Sequence, residues 1–500
     1  MISKADYRKK TLGCWMGKNI GGTVGAPFEW RRQVNDVEFY TQDLGGEPLP
    51  NDDLDIQLLW LIMLEEQGID VDSFVMADYW MQFVSPYWSE YGYAKINMRA
   101  GLQPPYTGMR NNCFKHSCGA FIRSEIWACI APGRPDLAAR YAFDDASIDH
   151  GDGEGTYAAV FCAALESAAF VENDVDKLID IGLSYIPEEC GTYRAIQCAR
   201  ESHIQGLSWV EARHKLLENY RGLAFFGSQE HVSEEDKARG FFDGVPGWDA
   251  PSNIGIIIIG LLYGGADFGD AICTAVNCGE DTDCTAATLG AIYGILHGID
   301  AIPEKWITPI GRSIKTACLN IGDLGYFGDM IPQNVDNLTD RTTAIMAKVA
   351  AIHGLPVEVD APKPRAVDNL YADKNRMGYL STVAQRHSFP FMDVAVEYAE
   401  NSVVAPGGDV AIKLHLASKY RIPAGLGVKV YMNDGWEVLP TNEFKTFLGT
   451  HFESRNKTVE LKLRPREHWG TCSVGRGVVE LTLDGRSHVM LVPLIVLLEL

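Results

Sequence analysis

The sequence predicts an all-α helical bundle followed by a smaller β-sandwich domain. Apolar residues recur at helical spacing up to about residue 353, and short alternating segments separated by turns begin near residue 394. A chain of 500 residues is also too long for a single core. The expected units are a helical domain over residues 1–358, a linker over 359–390 and a β-sandwich over 391–500.

The composition is that of an acidic globular protein. Apolar residues make up 46% of the chain and charged residues 22%, and the net charge is −22. Because such a charge repels polyanions, we expect no binding to nucleic acid or to an anionic membrane. No apolar run is long enough to span a bilayer and the N-terminus lacks a signal-peptide core, so the sequence favours a cytoplasmic location.

Twelve cysteines are scattered along the chain without a Cys-x-x-Cys pair. Several lie in apolar, helix-like segments, which indicates reduced, buried thiols rather than a disulfide framework. Cys113, His116 and Cys118 could form half of a zinc site, but their spacing is poor for that purpose.

The first helical segment, residues 11–29, carries glycine at every fourth position from Gly13 to Gly25 and is stopped by Pro27. A glycine stripe of this kind lets another helix approach closely. A phosphate-binding loop is excluded, because no strand precedes the segment and the Gly-x-Gly-x-x-Gly order is absent. Glu29 follows the stop, either as a solvated or capping residue or as a carboxylate that serves a site.

Asp52 and Asp53 stand at the start of a helix whose residues 58–64 are all apolar. Such a helix is buried on most sides. Acidic residues at a helix start are commonly caps or complements to the helix dipole. Alternatively, the two adjacent carboxylates serve a ligand at the entrance of the helix.

The middle of the helical region contains two further candidate stretches. Residues 76–115 are rich in aromatic residues, so we expect irregular loops that line a cleft or fill gaps between helices. Residues 149–155 form a polar turn before an alanine-rich helix, where His150 and Asp152 suit recognition of hydroxyls or phosphate. The alternative is that this turn simply caps the helix.

Residues 277–285 (NCGEDTDCT) place Asp281 and Asp283 two positions apart. Residues at this spacing do not share a helix face, but both can point into one site if the chain turns there, which Gly279 permits. Small residues then repeat at intervals of three and four up to Gly298, which forms a second stripe. The alternative is that Asp281 is an N-cap and Asp283 complements the helix dipole.

Taken together, these motifs resemble the ADP-ribosylglycohydrolase family. The family has a glycine-rich helix ending in Gly-x-Pro-x-Glu, a Thr/Ser-Asp-Asp-Thr motif, a glycine loop ending in Met-Arg, a His-containing turn before an alanine helix, and Asn-x-Gly-Gly-Asp-Thr-Asp-Thr. The matching stretches are residues 25–29 (GAPFE), 51–54 (NDDL), 118–123 (CGAFIR), 149–164 and 277–298. The resemblance covers residues 11 to about 350 and does not extend to the predicted β-domain.

The resemblance implies a helical bundle with a dinuclear Mg²⁺ site at its mouth. Asp52, Asp53, Asp281 and Asp283 would be ligands, and four carboxylates would balance two divalent ions. Oxygen ligands suit hard ions, so Mn²⁺ and Ca²⁺ are alternatives to Mg²⁺.

Three positions depart from the family pattern. Asn51 replaces threonine, although its amide oxygen can still ligate a cation. Cys284 replaces a ligating threonine and is a poor partner for Mg²⁺. Gly22 replaces an aspartate, and Thr285 or water would have to fill a resulting gap.

We therefore expect metal-dependent hydrolysis of an N- or O-glycosidic bond at an anomeric carbon, with a small or protein-linked ADP-ribosyl or related ribosyl group as the substrate. Asp53 or Glu29 would be the general base, and the Gly119 loop, His150, Asp152 and Gly279 would contact the substrate. One alternative is a glycoside hydrolase for a neutral sugar or nucleoside, and another is a non-catalytic binding protein. The β-domain could bind carbohydrate, mediate dimerisation or act as a lid.

Overall fold

The computed structural model describes residues 1–221, 247–319, 330–358, 369–373, 377–381, 383–405, 407–466 and 474–498. The described residues form a helical region followed, from Gln385, by two β-sheets. This confirms the predicted fold class. Much of the predicted linker over 359–390 lies outside the described residues, namely 359–368, 374–376 and 382.

The helical region is built from sixteen described α-helices. They are α1 Lys4–Gly25, α2 Asp52–Gln67, α3 Ser73–Phe83, α4 Ser89–Ala100, α5 Tyr106–Met109, α6 Glu125–Ile130, α7 Pro135–Ala146, α8 Glu154–Ala169, α9 Val175–Leu183, α10 Gly191–Ile204, α11 Trp209–Tyr220, α12 Ala250–Tyr263, α13 Phe268–Asn277, α14 Thr282–His297, α15 Glu304–Ile307 and α16 Val335–His353. A short helix, α17 Gly378–Ser381, precedes the sheets.

The expectation of irregular loops over residues 76–115 is wrong, because α3, α4 and α5 occupy most of this stretch. Asp72 caps α3 by accepting hydrogen bonds from two backbone amides, and Gly101, with φ +101°, ends α4. Many of the aromatic side chains pack between helices; Trp80, for example, lies 6.2 Å from Trp60 between ring centroids. The aromatic pattern reflects core packing as much as a cleft.

The two stripes of small residues pack against each other. The sequence predicted that a helix would approach each stripe closely, and the structure identifies each stripe as the partner of the other. A Cβ added at Gly17 would collide with the backbone of Gly290, and one at Gly21 would collide with the backbone of Ala286. The backbones of α1 and α14 therefore approach closely from Gly13 to Gly25 of α1. The ends of these two helices are consequently brought together.

The C-terminal region is a sandwich of two five-stranded sheets. The strands are β1 Gln385–Ser388, β2 Met392–Tyr398, β3 Val403–Val404, β4 Val410–Ser418, β5 Ala424–Met432, β6 Trp436–Leu439, β7 Glu443–Leu448, β8 Asn456–Pro465, β9 Val474–Leu483 and β10 Val489–Leu498. The sheet orders are β1-β2-β4-β8-β6 and β3-β10-β9-β5-β7, with neighbours antiparallel except for the β3–β10 pair. Alternate residues of the long strands are buried between the sheets, as in β4.

Tyr106 of α5 joins the helical region to the core of the sandwich. Its hydroxyl donates to the carbonyl of Val383 (3.3 Å) and accepts from the backbone amide of Tyr398 (2.8 Å). Within the described part of the chain, no helix is both long enough and apolar enough to cross a membrane.

Candidate metal centre

Carboxylates from the ends of α1, α2 and α14 converge into two groups of potential metal ligands. In each group the ligand atoms lie within 4.8 Å of one another. One group consists of Asp53, Asp283 and Cys284, and the other of Glu29, Asp281 and Asp283. Since Asp283 belongs to both groups, the two are adjacent parts of a single centre.

The packing of α1 against α14 positions this centre. A Cβ at Gly25 would lie 2.5 Å from the Cα of Asp283, and the Thr282 hydroxyl donates to the carbonyl of Gly25 (2.8 Å). The chain then runs through a short 3₁₀ turn, Ala26–Phe28, to Glu29. Close contact of the helix ends therefore places Glu29 next to the Asp281–Asp283 loop.

Asp281 occupies the N-cap position of α14, but its side chain makes no capping hydrogen bond. The backbone amide of Asp281 donates a hydrogen bond to the side-chain oxygen of Asn253 (3.1 Å). Within the described residues, one carboxylate oxygen of Asp281 and one of Asp283 are buried without a hydrogen-bond partner. Helix capping does not explain these two aspartates, because the oxygen of a capping side chain accepts a hydrogen bond from a backbone amide.

Asn51, rather than either neighbouring aspartate, caps α2. Its Oδ1 accepts the backbone amide of Asp53 (2.6 Å), so its Nδ2 points towards Asp283 Oδ2, 3.4 Å away. An amide NH₂ group is a donor and cannot ligate a cation. The predicted role of Asn51 as a metal ligand is therefore corrected by this orientation.

Asp53 is 1% exposed, and neither of its carboxylate oxygens has a hydrogen-bond partner among the described residues. A buried charged oxygen without a partner is costly unless it binds a cation or is protonated. Lys18 lies nearby, but its ammonium group forms a fully buried ion pair with Glu125 (2.7 Å). Asp53 thus retains both oxygens for another ligand.

The carboxylates of the centre repel one another in a buried environment. Burial, followed by Asp52 and Asp53, raises the pKa of Glu29 to about 7. Burial, followed by Glu29 and Asp52, raises the pKa of Asp283 to about 8, and burial also raises the pKa values of Asp53 and Asp281 well above the usual range. A divalent cation would hold these groups ionised. The oxygen donors and their missing partners fit such an ion.

Asp52, a predicted ligand, lies beside the centre but in neither group of three. The Tyr91 hydroxyl donates to Asp52 Oδ2 at 3.5 Å. Burial raises the pKa of Asp52, and its charge in turn raises the pKa values of Glu29 and Asp283. It therefore contributes negative charge to the centre.

The departures from the family pattern cluster at the same place. Cys284 is 7% exposed and belongs to a ligand group. A Cβ at Gly22 would lie 2.6 Å from Asn51 Nδ2, so a larger residue there would project towards the centre. Thr285 donates its hydroxyl to the carbonyl of Thr282 (3.3 Å) inside α14, so it does not replace Cys284.

His150 is fully buried, and both of its ring nitrogens contact protein side chains. Nδ1 lies 2.8 Å from Asp149 and Nε2 lies 3.0 Å from Ser117. Arg123 in turn binds Asp149 (2.7 Å) and Asp145 (2.9 Å). Both ring nitrogens are therefore engaged within the protein, and His150 links Asp149 to Ser117 instead of presenting a nitrogen for the predicted substrate contact.

Two other predicted substrate contacts are also engaged within the protein. Asp152 forms an ion pair with Lys115 (2.8 Å) that is partly open to solvent. A Cβ at Gly119 would collide with the Glu90 carboxylate. Burial, followed by the nearby charge of Asp281, raises the pKa of the adjacent Cys118 thiol, so the Gly119 loop does reach the centre.

Gly279 has φ +73°, and a Cβ there would collide with backbone carbonyls of residues 31–33. Its predicted role in the turn is confirmed. Glu280 also has a positive φ of +67°, and its buried carboxylate pairs with Arg32 (3.3 Å) and Arg221 (2.5 Å). Glu280 and Asn253 support this loop, and no local sequence pattern predicts this role because their partners are distant in the chain.

Two alternative metal sites are less well supported. His116 uses Nδ1 to accept the backbone amide of Glu154 (3.1 Å), and no group of potential ligands in the described residues joins it to Cys113 and Cys118. Glu90, Asp149 and His150 do form such a group. Although burial opposes it, Arg123 and His150 lower the pKa of Asp149 to about 2, so the ion pair with the Arg123 guanidinium already neutralises this carboxylate.

The family model for ADP-ribosylglycohydrolase matches residues 3–341. The chain belongs to the ADP-ribosylglycohydrolase family. As a member of this family the protein is a hydrolase of glycosidic bonds. The β-sandwich, which begins at Gln385, lies outside the matched region.

Two solved structures show weaker similarity. One, described as an ADP-ribosylglycohydrolase-related protein complex, is 17% identical with a TM-score of 0.43, covering 69% of this chain and 99% of that chain. The other, the alkylpurine DNA glycosylase AlkC of Pseudomonas fluorescens bound to DNA containing an abasic site analog, is 11% identical with a TM-score of 0.16, covering 90% of this chain and 100% of that chain. No curated protein matches the chain.

Proposed function

We propose that this family member hydrolyses an N- or O-glycosidic bond at an anomeric carbon with the help of divalent metal ions, and that an ADP-ribosyl or related ribosyl group is the substrate. The observation that carries this proposal is the buried centre, in which Asp53, Asp281 and Asp283 all present carboxylate oxygens without partners. Oxygen atoms in this state are ligands for a divalent cation.

Glu29, Asp53, Asp281 and Asp283 would hold two divalent ions, with Asp283 shared between them. The family resemblance points to Mg²⁺, and Mn²⁺ or Ca²⁺ would suit the oxygen donors as well. When bound, such ions orient sugar hydroxyls and lower the pKa of a water molecule.

Glu29 is better placed than Asp53 to act as the general base. It is half-buried, whereas Asp53 is 1% exposed. With divalent ions holding the carboxylates of the centre ionised, the partly exposed Glu29 would be able to accept a proton from water. Asp53 would then act as a metal ligand and not as the base.

An aromatic surface next to Glu29 supports recognition of a sugar or base. Trp30 is 50% exposed, has a positive φ of +62°, and contacts Trp248 edge-to-face at 5.7 Å between ring centroids. A strained, exposed tryptophan beside a site suits stacking on a ligand. This surface lies outside the aromatic stretch at residues 76–115.

A glycoside hydrolase for a neutral sugar or nucleoside is the second candidate. A net charge of −22 gives the protein no general attraction for the pyrophosphate of an ADP-ribosyl group, and Trp30 would stack equally well on a neutral glycoside. A non-catalytic binding protein on the same scaffold is the third candidate.

The test is a hydrolysis panel with Mg²⁺, Mn²⁺ or Ca²⁺ that covers ADP-ribosyl-arginine, ADP-ribosyl-serine, nucleosides and aryl glycosides. We expect turnover of an ADP-ribosyl substrate that a chelator abolishes. Turnover of simple glycosides alone would support the second candidate. No turnover together with no metal binding by calorimetry would contradict the proposed function.

Trp30→Ala extends this test to substrate binding. Loss of one stacked ring costs about 1–3 kcal/mol, so KM should rise about 5- to 150-fold while kcat changes little. Trp88→Ala, which removes another tryptophan that is 50% exposed, is the control.

A further inference from the structure

The two ligand groups of the centre differ in chemistry. Glu29, Asp281 and Asp283 offer oxygen atoms, whereas the second group combines the carboxylates of Asp53 and Asp283 with the sulfur of Cys284. In both groups the potential ligand atoms lie within 4.8 Å of one another. The centre is therefore asymmetric in the atoms it presents.

Oxygen and sulfur donors select different cations. Mg²⁺ and Ca²⁺ bind oxygen ligands and bind thiolate poorly. Zn²⁺ and Co²⁺ accept both thiolate and carboxylate, and Zn²⁺ commonly does so in proteins. A position lined by one sulfur and two carboxylates thus favours a thiophilic ion.

The surroundings of Cys284 are not those of a cysteine that only fills the core. Its thiol lies near the carboxylates of Asp53, Asp281 and Asp283. Both carboxylate oxygens of Asp53 are buried without a partner among the described residues, which is an independent sign of a missing ligand.

We propose that the centre holds two different ions: a thiophilic divalent ion such as Zn²⁺ on Asp53, Asp283 and Cys284, and a hard ion such as Mg²⁺ or Mn²⁺ on Glu29, Asp281 and Asp283. This inference rests on the proposed function in one respect, namely that these carboxylates bind divalent cations. When the thiophilic ion binds, the S–H bond of Cys284 breaks, a metal–sulfur bond forms and the proton passes to water.

The test uses Co²⁺ as a spectroscopic probe of metal–sulfur bonding in the full-length protein. Co²⁺ titrated into the chelator-treated protein should produce a near-ultraviolet sulfur-to-cobalt charge-transfer band. Cys284→Thr should lose the band, because it replaces the sulfur with an oxygen. Cys118→Ser is the matched control, since the Cys118 thiol also lies near Asp281 but belongs to neither ligand group, and it should keep the band.

Calorimetry with Zn²⁺ and Mg²⁺ provides a second readout on the same variants, after circular dichroism has established that they are folded. Cys284→Thr should lower Zn²⁺ affinity about 100-fold or more. Mutation of a residue that only hydrogen-bonds a metal ligand already lowers metal affinity about 10–100-fold, and here a ligand itself is lost. Its Mg²⁺ affinity should not fall.

Three results would overturn the inference. Co²⁺ binding to the wild type without the band would show oxygen ligation alone, while metal-dependent hydrolysis in the panel above would leave the proposed function intact. A band that persists in Cys284→Thr but disappears in Cys118→Ser would show that the sulfur ligand is Cys118 and not Cys284. No binding of any divalent ion would contradict both proposals, whereas a Cys284-dependent band without hydrolysis would contradict the proposed function and leave this inference standing.

Discussion

Asp283 is the side chain that the two ligand groups share, so the centre depends on it most directly. Asp283→Asn should reduce the binding of both divalent ions by at least about 100-fold, since it removes a charged ligand from each group. Calorimetry with Mg²⁺ and Zn²⁺ measures this loss. Asp300→Asn, which changes an exposed aspartate paired with Lys9, should leave both affinities unchanged.

Asp283→Asn should also make the metal-free protein more stable. Burial and neighbouring carboxylates raise the pKa of Asp283 to about 8, so its ionised form is unfavourable in the folded state. A raised carboxyl pKa means that stability falls as pH rises towards 8, and asparagine removes this dependence. We expect Asp283→Asn to gain roughly 1–3 kcal/mol at pH 8 in chelator. Equal or lower stability by urea denaturation would contradict the inferred repulsion.

Asn253 supports the centre without belonging to either ligand group. It accepts the amide of Asp281 and donates to the carbonyls of Gly247 (2.7 Å) and Asp249 (2.9 Å). Asn253→Ala should therefore lower metal affinity about 10–100-fold. Asn97→Ala, which also removes hydrogen bonds to two backbone carbonyls, should reduce stability but not metal affinity. Equal loss of affinity in both variants would indicate a general effect of unfolding.

The aspartate pair could be recognised from its spacing, because two acids beside a glycine turn are a local pattern. The orientation of Asn51 could not, because an amide carries both a donor and an acceptor. The backbone amide of Asp53 takes the acceptor, and this leaves the donor for Asp283. Likewise, the local sequence around His150 indicates a polar turn residue, but its two ring nitrogens form hydrogen bonds with Asp149 and Ser117.

The pairing of α1 with α14 is the element contact that brings Glu29 to the Asp281 loop. Gly17→Ala should cost about 2 kcal/mol or more, because the added methyl group would collide with the backbone of Gly290 and force the helices apart. Thermal unfolding measures the stability, and metal affinity should fall with it. Gly378→Ala is the control, since a Cβ there meets nothing within 4 Å and the change should have little effect.

Repeats of small residues predicted this close packing, since they specify which helix faces can approach. Aromatic content was a poorer guide to structure over residues 76–115. Aromatic side chains fill gaps between helices as readily as they line loops, and Asp72 and Gly101 set the boundaries of the helices there. Local caps were a stronger signal than aromatic composition.

The contact between the helical region and the β-sandwich should weaken in acid. His387 of β1 stacks on Phe74 of α3 at 4.4 Å between ring centroids, and burial lowers the pKa of His387 to about 4. It lies in a cleft of about 680 Å³ that Asp72 and Arg140 also line. A lowered histidine pKa means that the stabilisation is present above about pH 6.5 and is lost as pH falls towards 4.

His387→Phe keeps a ring against Phe74 but cannot take up a proton. The stability of the wild type should therefore fall relative to the variant between about pH 6.5 and pH 4, by up to roughly 3 kcal/mol. Urea denaturation of both proteins across this range provides the measurement. Parallel pH profiles would show that protonation of His387 does not affect the interface.

Local amino-acid patterns specify much of this molecule: helices up to residue 353, alternating strands after residue 394, glycine stripes, and acids at helix starts. These features depend on chain neighbours, whose spacing the sequence states directly. The convergence of Glu29, Asp53 and Asp281 depends instead on how three helix ends meet, and these residues are up to about 250 positions apart. Hydrogen-bond partners that come from distant segments determine which side chains in the centre remain available to a metal. The motifs alone do not show which side chains are available to a metal. The packing leaves aspartate oxygens without partners, but it uses Asn51 to cap a helix and buries His150 in a polar network.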